Sequence, residues 1–324
     1  MPNLLLATEH GLSICESQGG NWRESSRGLA DHRVTSVIAR EGVILAGTTD
    51  GIFRSDDSGK TWQEVSLGLN ARHVRWLANH PDKSDFEFAG TEPAGIFVSH
   101  NGGESWRACA EVDQLRDLYK WSLPYSPEAG CVRGFAFRGV RAYAAVEVGG
   151  VLRSDDGGET WRLVEGSSGK PDLQGPSEPF IHSDVHSIFV HPFLPNLVFA
   201  PTGGGFYRST DGGKTWKCFY DCYCRAVWVD VLDSQHMVLG PADGVERNGR
   251  IEESRDGGLT WTSTSNGLEV PWPDNIVERF VQVGFDLLAV LSDGQLLSAP
   301  LASLEWRHIL PEVKGVAAVA EIVI

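Results

Sequence analysis

The octapeptide Ser209-Thr210-Asp211-Gly212-Gly213-Lys214-Thr215-Trp216 decides how this chain is read. Its pattern, Ser-x-Asp-x-Gly-x-Thr-Trp, returns at Ser55 to Trp62, Ser154 to Trp161 and Ser254 to Trp261, and with Asn101 and Ser105 substituted at Ser99 to Trp106. A worn copy ending at Trp22 keeps Ser17, Gly19 and Asn21, and at Trp306 only the tryptophan survives. The seven tryptophans lie 40, 44, 55, 55, 45 and 45 residues apart, so the chain is a tandem array of seven units. Within each unit the carboxylate or amide at Asp57, Asn101, Asp156, Asp211 and Asp256 can accept hydrogen bonds from backbone N–H groups just ahead of it. Glycine two residues later supplies a positive φ, threonine restarts a strand, and tryptophan anchors the space between sheets. The box is therefore read as a structural hairpin corner.

Four short β runs accompany each box, for example Val34 to Arg40, Val43 to Thr48, Gly51 to Ser55 and Thr61 to Val65. Repeated radially, such units make an all-β, seven-bladed β-propeller of four-stranded antiparallel blades, occupying 1–324 as one domain. The chain opens on a second strand, Leu4 to Thr8, and ends on an orphan first strand within Val313 to Ile324. Pairing these two would complete the N-terminal blade and remove two open sheet edges. Two insertions break the period. In 110–130, Val112, Leu115 and Leu118 could line one face of a short helix before Pro124 and Pro127, and 165–184 reads as a Gly, Ser and Pro-rich loop. Up-and-down topology puts both on the face opposite the boxes, where a repeat protein usually binds.

Composition narrows the function classes. Among 324 residues, 28 are Lys or Arg and 43 Asp or Glu, a net charge of −15 that disfavours nucleic acid or anionic membrane as partner. No apolar run approaches the ~20 residues of a membrane span, and Met1-Pro2-Asn3 followed by Leu4-Leu5-Leu6 lacks a secretory pattern, so a cytoplasmic monomer is expected. Cys218, Cys222 and Cys224 cluster without the paired spacing of a zinc site, and all six cysteines are expected to be free thiols.

The octapeptides resemble the BNR or Asp-box repeats of sialidases, sortilin-type receptors, xyloglucanases and photosystem II assembly-factor propellers, and the resemblance covers nearly the whole chain. It implies the propeller scaffold, and a glycosyl-hydrolase-like activity only in some relatives. Sialidases of that kind are six-bladed and carry Phe-Arg-Ile-Pro, whereas here Phe53-Arg54 belongs to the repeat and no Ile-Pro follows. Xyloglucanase-type sites lie between two propellers, and one is present.

Candidate chemistry comes from aligning the first strands: Val34-Thr35, Val74-Arg75, Val132-Arg133, Val185-His186, Cys224-Arg225, Val277-Glu278 and Val313-Lys314. The second positions would form a basic mouth in which Arg75, Arg133, Arg225 and Lys314 face one anion, Glu278, and draw an anionic or carbohydrate-like ligand or a protein segment. Glu92 and Glu147 end strongly apolar second strands nearby. In Ile181-His182-Ser183-Asp184-Val185-His186, an extended strand would set His182, Asp184 and His186 on one face, a set that could ligate a divalent metal such as Zn, Mn or Fe, with Glu92 or Glu147 as further ligand or base. Three functions follow. The first is a binding module using Arg75, Arg133, His182, Arg225, Glu278 and Lys314. The second is a glycoside hydrolase or lyase using Glu92, Glu147, Asp184 and His186. The third is a protein-binding assembly scaffold, for which an apolar rim at Trp121, Tyr125 and Trp272 would serve.

Overall fold

A computed structural model describes residues 2–19, 21–122, 130–172 and 175–323. Tyr125, Pro124 and Pro127 lie outside them. Seven four-stranded antiparallel sheets, the blades of a β-propeller, hold almost all of the regular structure, with one α-helix, Ala110–Tyr119. By contact density the chain divides into two compact units, Met1–Glu92 with Ile96–Ala108 and Arg279–Ile324, and Pro93–Gly95 with Cys109–Glu278.

In the first unit the terminal strand closes the N-terminal blade as expected. Val316–Val323 pairs antiparallel with Pro2–Thr8, in the register Leu5 to Ala320 and Leu6 to Val319, and Pro2–Thr8 pairs in turn with Gly11–Gln18. Val316, Val319, Leu4 and Leu6 pack in one cluster of this unit, while Leu5, Ala318 and Ile322 pack in another with Val34, Val37 and Ile44. Strands covered on both faces read as unbroken apolar runs, as in Val43–Thr48.

Each intact box is held the same way. Asp156 Oδ1 accepts from Ser154 Oγ at 2.6 Å and from the backbone N–H groups of Glu159 and Thr160, and Oδ2 accepts from Thr160 Oγ1. Asp57, Asp211 and Asp256 repeat this with Thr61, Thr215 and Thr260. At Asn101 the second oxygen is replaced by Nδ2, which donates to Ser105 Oγ at 3.0 Å. Burial alone would raise the Asp156 carboxyl, but the bonds from Ser154 and Thr160 outweigh it and bring it to about 2. The carboxylate is thus the wanted acceptor, and the box glycine Gly59 sits at φ 89°, where a side chain would be strained. Replacing Asp156 by Asn is expected to change stability by less than about 0.5 kcal/mol, because Asn101 performs the same task, whereas Ala should cost about 1–2 kcal/mol in urea unfolding. Equal losses for both variants would show that the acceptor is not what matters.

In the second unit the helix Ala110–Tyr119 forms from the first insertion, with Val112 buried but Leu118 70% exposed, so the expected Val112, Leu115, Leu118 face is not a single packed stripe. Trp121 is buried and its Nε1 donates to Gly169 O at 2.7 Å, joining the two insertions and removing it from any exposed rim. Trp272 is half-buried, bridged to Gly249. The fifth first strand also departs from expectation. Regular pairing covers only Phe189–Val190, and Val185 contributes a lone bridge to Thr202. The Gly150 N–H donates to Ser183 O at 2.8 Å, which ties the end of the second insertion to the hairpin just after Glu147.

Candidate functional site

The first strands of several blades share a device at the second of the aligned positions. The register shifts between Val34 and Ser36, Val74 and Trp76, Val132 and Gly134, and Cys224 and Val227, leaving Thr35, Arg75, Arg133 and Arg225 on β-bulges. A bulge residue stands outside the ladder, and its side chain is re-aimed relative to its neighbours. In the last strand the shift falls opposite Ala7 and Thr8, which leaves Ala317 in that position. Lys314 lies ahead of the strand and is exposed, so the alignment that put it among the site cations is corrected.

The arginines do not stand as free charges. In the second unit Arg133 lies 3.5 Å from Glu147 Oε2 and 3.0 Å from Glu278 Oε2, and Arg225 Nη1 is hydrogen-bonded to Glu278 Oε1. Arg225 Nε also donates to Tyr223 Oη at 2.7 Å. Burial would lower both guanidiniums, yet the facing carboxylates raise them, Arg133 well above its ordinary value. Burial likewise pushes the Glu278 carboxyl up, and Arg225 and Arg133 bring it below the usual carboxylate range. In the first unit Arg75 lies 3.3 Å from Glu92 Oε2, which is also 3.6 Å from His73 Nδ1. The expected basic mouth is therefore, at these positions, a set of neutralised pairs.

The second cluster gathers around His186. Its Nδ1 lies 2.8 Å from Cys224 O, its Nε2 3.1 Å from Asp184 Oδ2, and its ring 5.0 Å from that of Tyr223. Donor atoms of Glu147, Asp184 and His186 all lie within 4.8 Å of one another. Burial and Glu147 work to raise the Asp184 carboxyl, while the neighbouring His186, with a smaller part from His182, outweighs them and holds it below its ordinary value. His182 stays beside this group rather than in it: its Nδ1 accepts from the Asp184 N–H at 3.2 Å. Among the described residues no other group brings three His, Cys, Asp or Glu donors together, so Cys218, Cys222 and Cys224 do not form such a set. The Gly203-Gly204 turn makes room here. A Cβ on Gly203 would fall 2.2 Å from Asp184 Oδ2, and one on Gly204 2.5 Å from the His182 ring.

Sequence reasoning missed Cys131, whose Sγ lies 2.9 Å from Glu147 Oε2, and Tyr223. Both immediately flank the aligned first-strand positions, and the run Gly203-Gly204-Gly205 was the remaining signal in the sequence.

The blades and their recurring boxes together define a repeat β-propeller. The family model of the BNR/Asp-box repeat matches residues 152–163 and 207–217, in each case the third strand of a blade with its box. The chain is 25% identical over 174 residues to a xyloglucanase of Hypocrea jecorina, a match covering 48% of this chain and 19% of that protein. It is 24% identical over 221 residues to a sialidase of Bacteroides fragilis, covering 65% and 37% respectively. Among solved structures, YCF48 from Cyanidioschyzon merolae superposes with a TM-score of 0.65 at 16% identity, over 92% of this chain and 91% of that one. The chain spans well under half of the two curated relatives, and the structural likeness is one of fold.

Proposed function

We propose that this propeller is a binding module whose second unit takes a neutral, sugar-like ligand at the Arg133, Arg225, Glu278 and Asp184 cluster. The observation that carries this reading is the charge balance: both guanidiniums already face carboxylates, while the four side chains keep 12–17% of their surface open. An incoming anion would have to displace a paired carboxylate. A hydroxyl, which donates and accepts at once, can bond a guanidinium N–H and the adjacent carboxylate oxygen together.

The test is a thermal-shift and calorimetric titration with neutral oligosaccharides, a uronate and inorganic phosphate. Neutral saccharides should raise the melting temperature by mass action, and Arg225→Gln should remove that shift. Binding of phosphate or uronate alone, or of no saccharide, would overturn the reading. A second reading is favoured by one distance. Oxygens of Glu147 and Asp184 lie within 4.8 Å of each other, so the two carboxyls are near enough to act on one bond, as the carboxyl pair of glycoside hydrolases does. Reducing ends released from a bound oligosaccharide, and lost in Glu147→Gln, would move the assignment from binding to hydrolysis.

A further inference from the structure

We infer that Glu147, Asp184 and His186 form a binding site for one divalent first-row transition ion. The argument begins with the imidazole. Cys224 O, a carbonyl oxygen, can only accept, so His186 Nδ1, 2.8 Å away, must carry a proton and donate. In the neutral ring this leaves Nε2 with a bare lone pair. That lone pair sits 3.1 Å from Asp184 Oδ2, itself an acceptor, so two acceptors face each other unless a cation lies between them.

A proton on Nε2 is one such cation, but the directions are wrong for it. The separation is short enough, yet an N–H on this nitrogen would not point at the oxygen, and Nε2 has no hydrogen-bond partner although the His186 side chain is 0% exposed. Asp184 Oδ1 is buried and unpartnered as well. Two buried polar atoms left this way cost stability unless something completes them. A metal ion is less demanding, because it needs lone pairs converging on a point, and Glu147 supplies the third within 4.8 Å. The backbone carbonyl behind Nδ1 is the outer partner that usually orients a metal-bound histidine.

One imidazole and two carboxylates suit Mn, Fe or Zn better than Mg or Ca, which prefer oxygen alone, or than Cu(I), which prefers sulfur. Arg133, 3.5 Å from Glu147 Oε2, balances part of the carboxylate charge. Gly203 fits the same picture, since any side chain there would occupy the space beside Asp184 Oδ2.

The inference concerns the cluster of the proposed saccharide site but rests on the His186 geometry alone, so the ion is titrated without saccharide and the two readings can fail separately. Untagged full-length protein is stripped with a chelator and titrated with Co2+ by absorption and with Mn2+ and Zn2+ by calorimetry. One ion per chain is expected, with cobalt d–d bands of a nitrogen and oxygen donor set. Asp184→Asn and Glu147→Gln should each weaken binding by more than the roughly 100-fold that marks loss of an outer partner. Asp156→Asn, in a box outside the trio, should bind within a few-fold of the parent. Should Asp184→Asn fail to fold, Glu147→Gln and the parent stoichiometry carry the test. No binding of any of the three ions by the parent, or parental affinity in a folded Glu147→Gln or Asp184→Asn, would overturn the inference.

Discussion

Removing Val316–Val323 is expected to abolish cooperative folding of the first unit at ordinary temperature. The strand supplies every outer hydrogen bond to Pro2–Thr8 and buries Val316, Val319 and Ile322 to under a tenth of their surface. At about 1.5–3 kcal/mol for each large aliphatic side chain, those three alone contribute roughly 5–9 kcal/mol as an upper estimate. That is the size of a whole domain's net stability, about 5–15 kcal/mol. Leu4, Leu5 and Leu6 would also lose their cover, and an open apolar edge would favour aggregation. Circular dichroism melts of the truncated and intact chains decide the matter. A truncated chain melting with the same midpoint would mean that the pairing is not what closes the first blade.

Arg133→Met should be the most damaging single substitution in the second unit, at about 3–5 kcal/mol, because it takes from Glu147 and Glu278 the guanidinium that they share in a largely buried setting. Pairing it with Glu147→Gln should restore part of the loss, since the carboxylate deprived of its arginine is neutralised while Glu278 keeps Arg225. The pH dependence carries a sign that a simple packing defect would not give. Glu278 is held below the ordinary carboxylate value in the folded parent, so its contribution is present above its unfolded value of about 4.3 and is lost as pH falls through the folded value. In Arg133→Met the Arg133 share of that hold is gone while Arg225 still faces Glu278, so the variant has less stability to lose as the carboxyl protonates. The stability gap between parent and variant should therefore narrow from pH 7 to pH 4 in urea unfolding. A gap that stays constant would assign the loss to packing.

The scaffold was legible because the information for it is local and repeated. An acceptor at Asp57, a positive-φ glycine at Gly59 and an anchor at Trp62 act within eight residues, and the same solution recurs in the other boxes. The orphan terminal strand was legible for a related reason, since a strand without a blade has few places to go. The site was harder. The alignment marked Arg75, Arg133 and Arg225, but nothing local says that these positions are bulged or that their partners would be Glu92, Glu147 and Glu278. Pairing is decided by residues up to 145 positions apart, as between Arg133 and Glu278. The histidine segment shows the other limit. Two-residue alternation in an ideal strand would group His182 with Asp184 and His186, but 182–188 is largely irregular, and the fold exchanges His182 for Glu147.

The bulges bear on how such a scaffold diversifies. A residue within a ladder answers to two neighbours, and most changes there disturb a blade. Thr35, Arg75, Arg133 and Arg225 are released from that obligation by one extra residue of backbone, and they have been spent differently. Thr35 turns its hydroxyl to Val74 O, Arg75 meets Glu92, and Arg133 spans two carboxylates. The repeat thus keeps one writable position per such blade, at which mutation can explore recognition while the surrounding architecture is inherited unchanged. Proteins sharing this scaffold would then diverge fastest in chemistry where their backbones agree best.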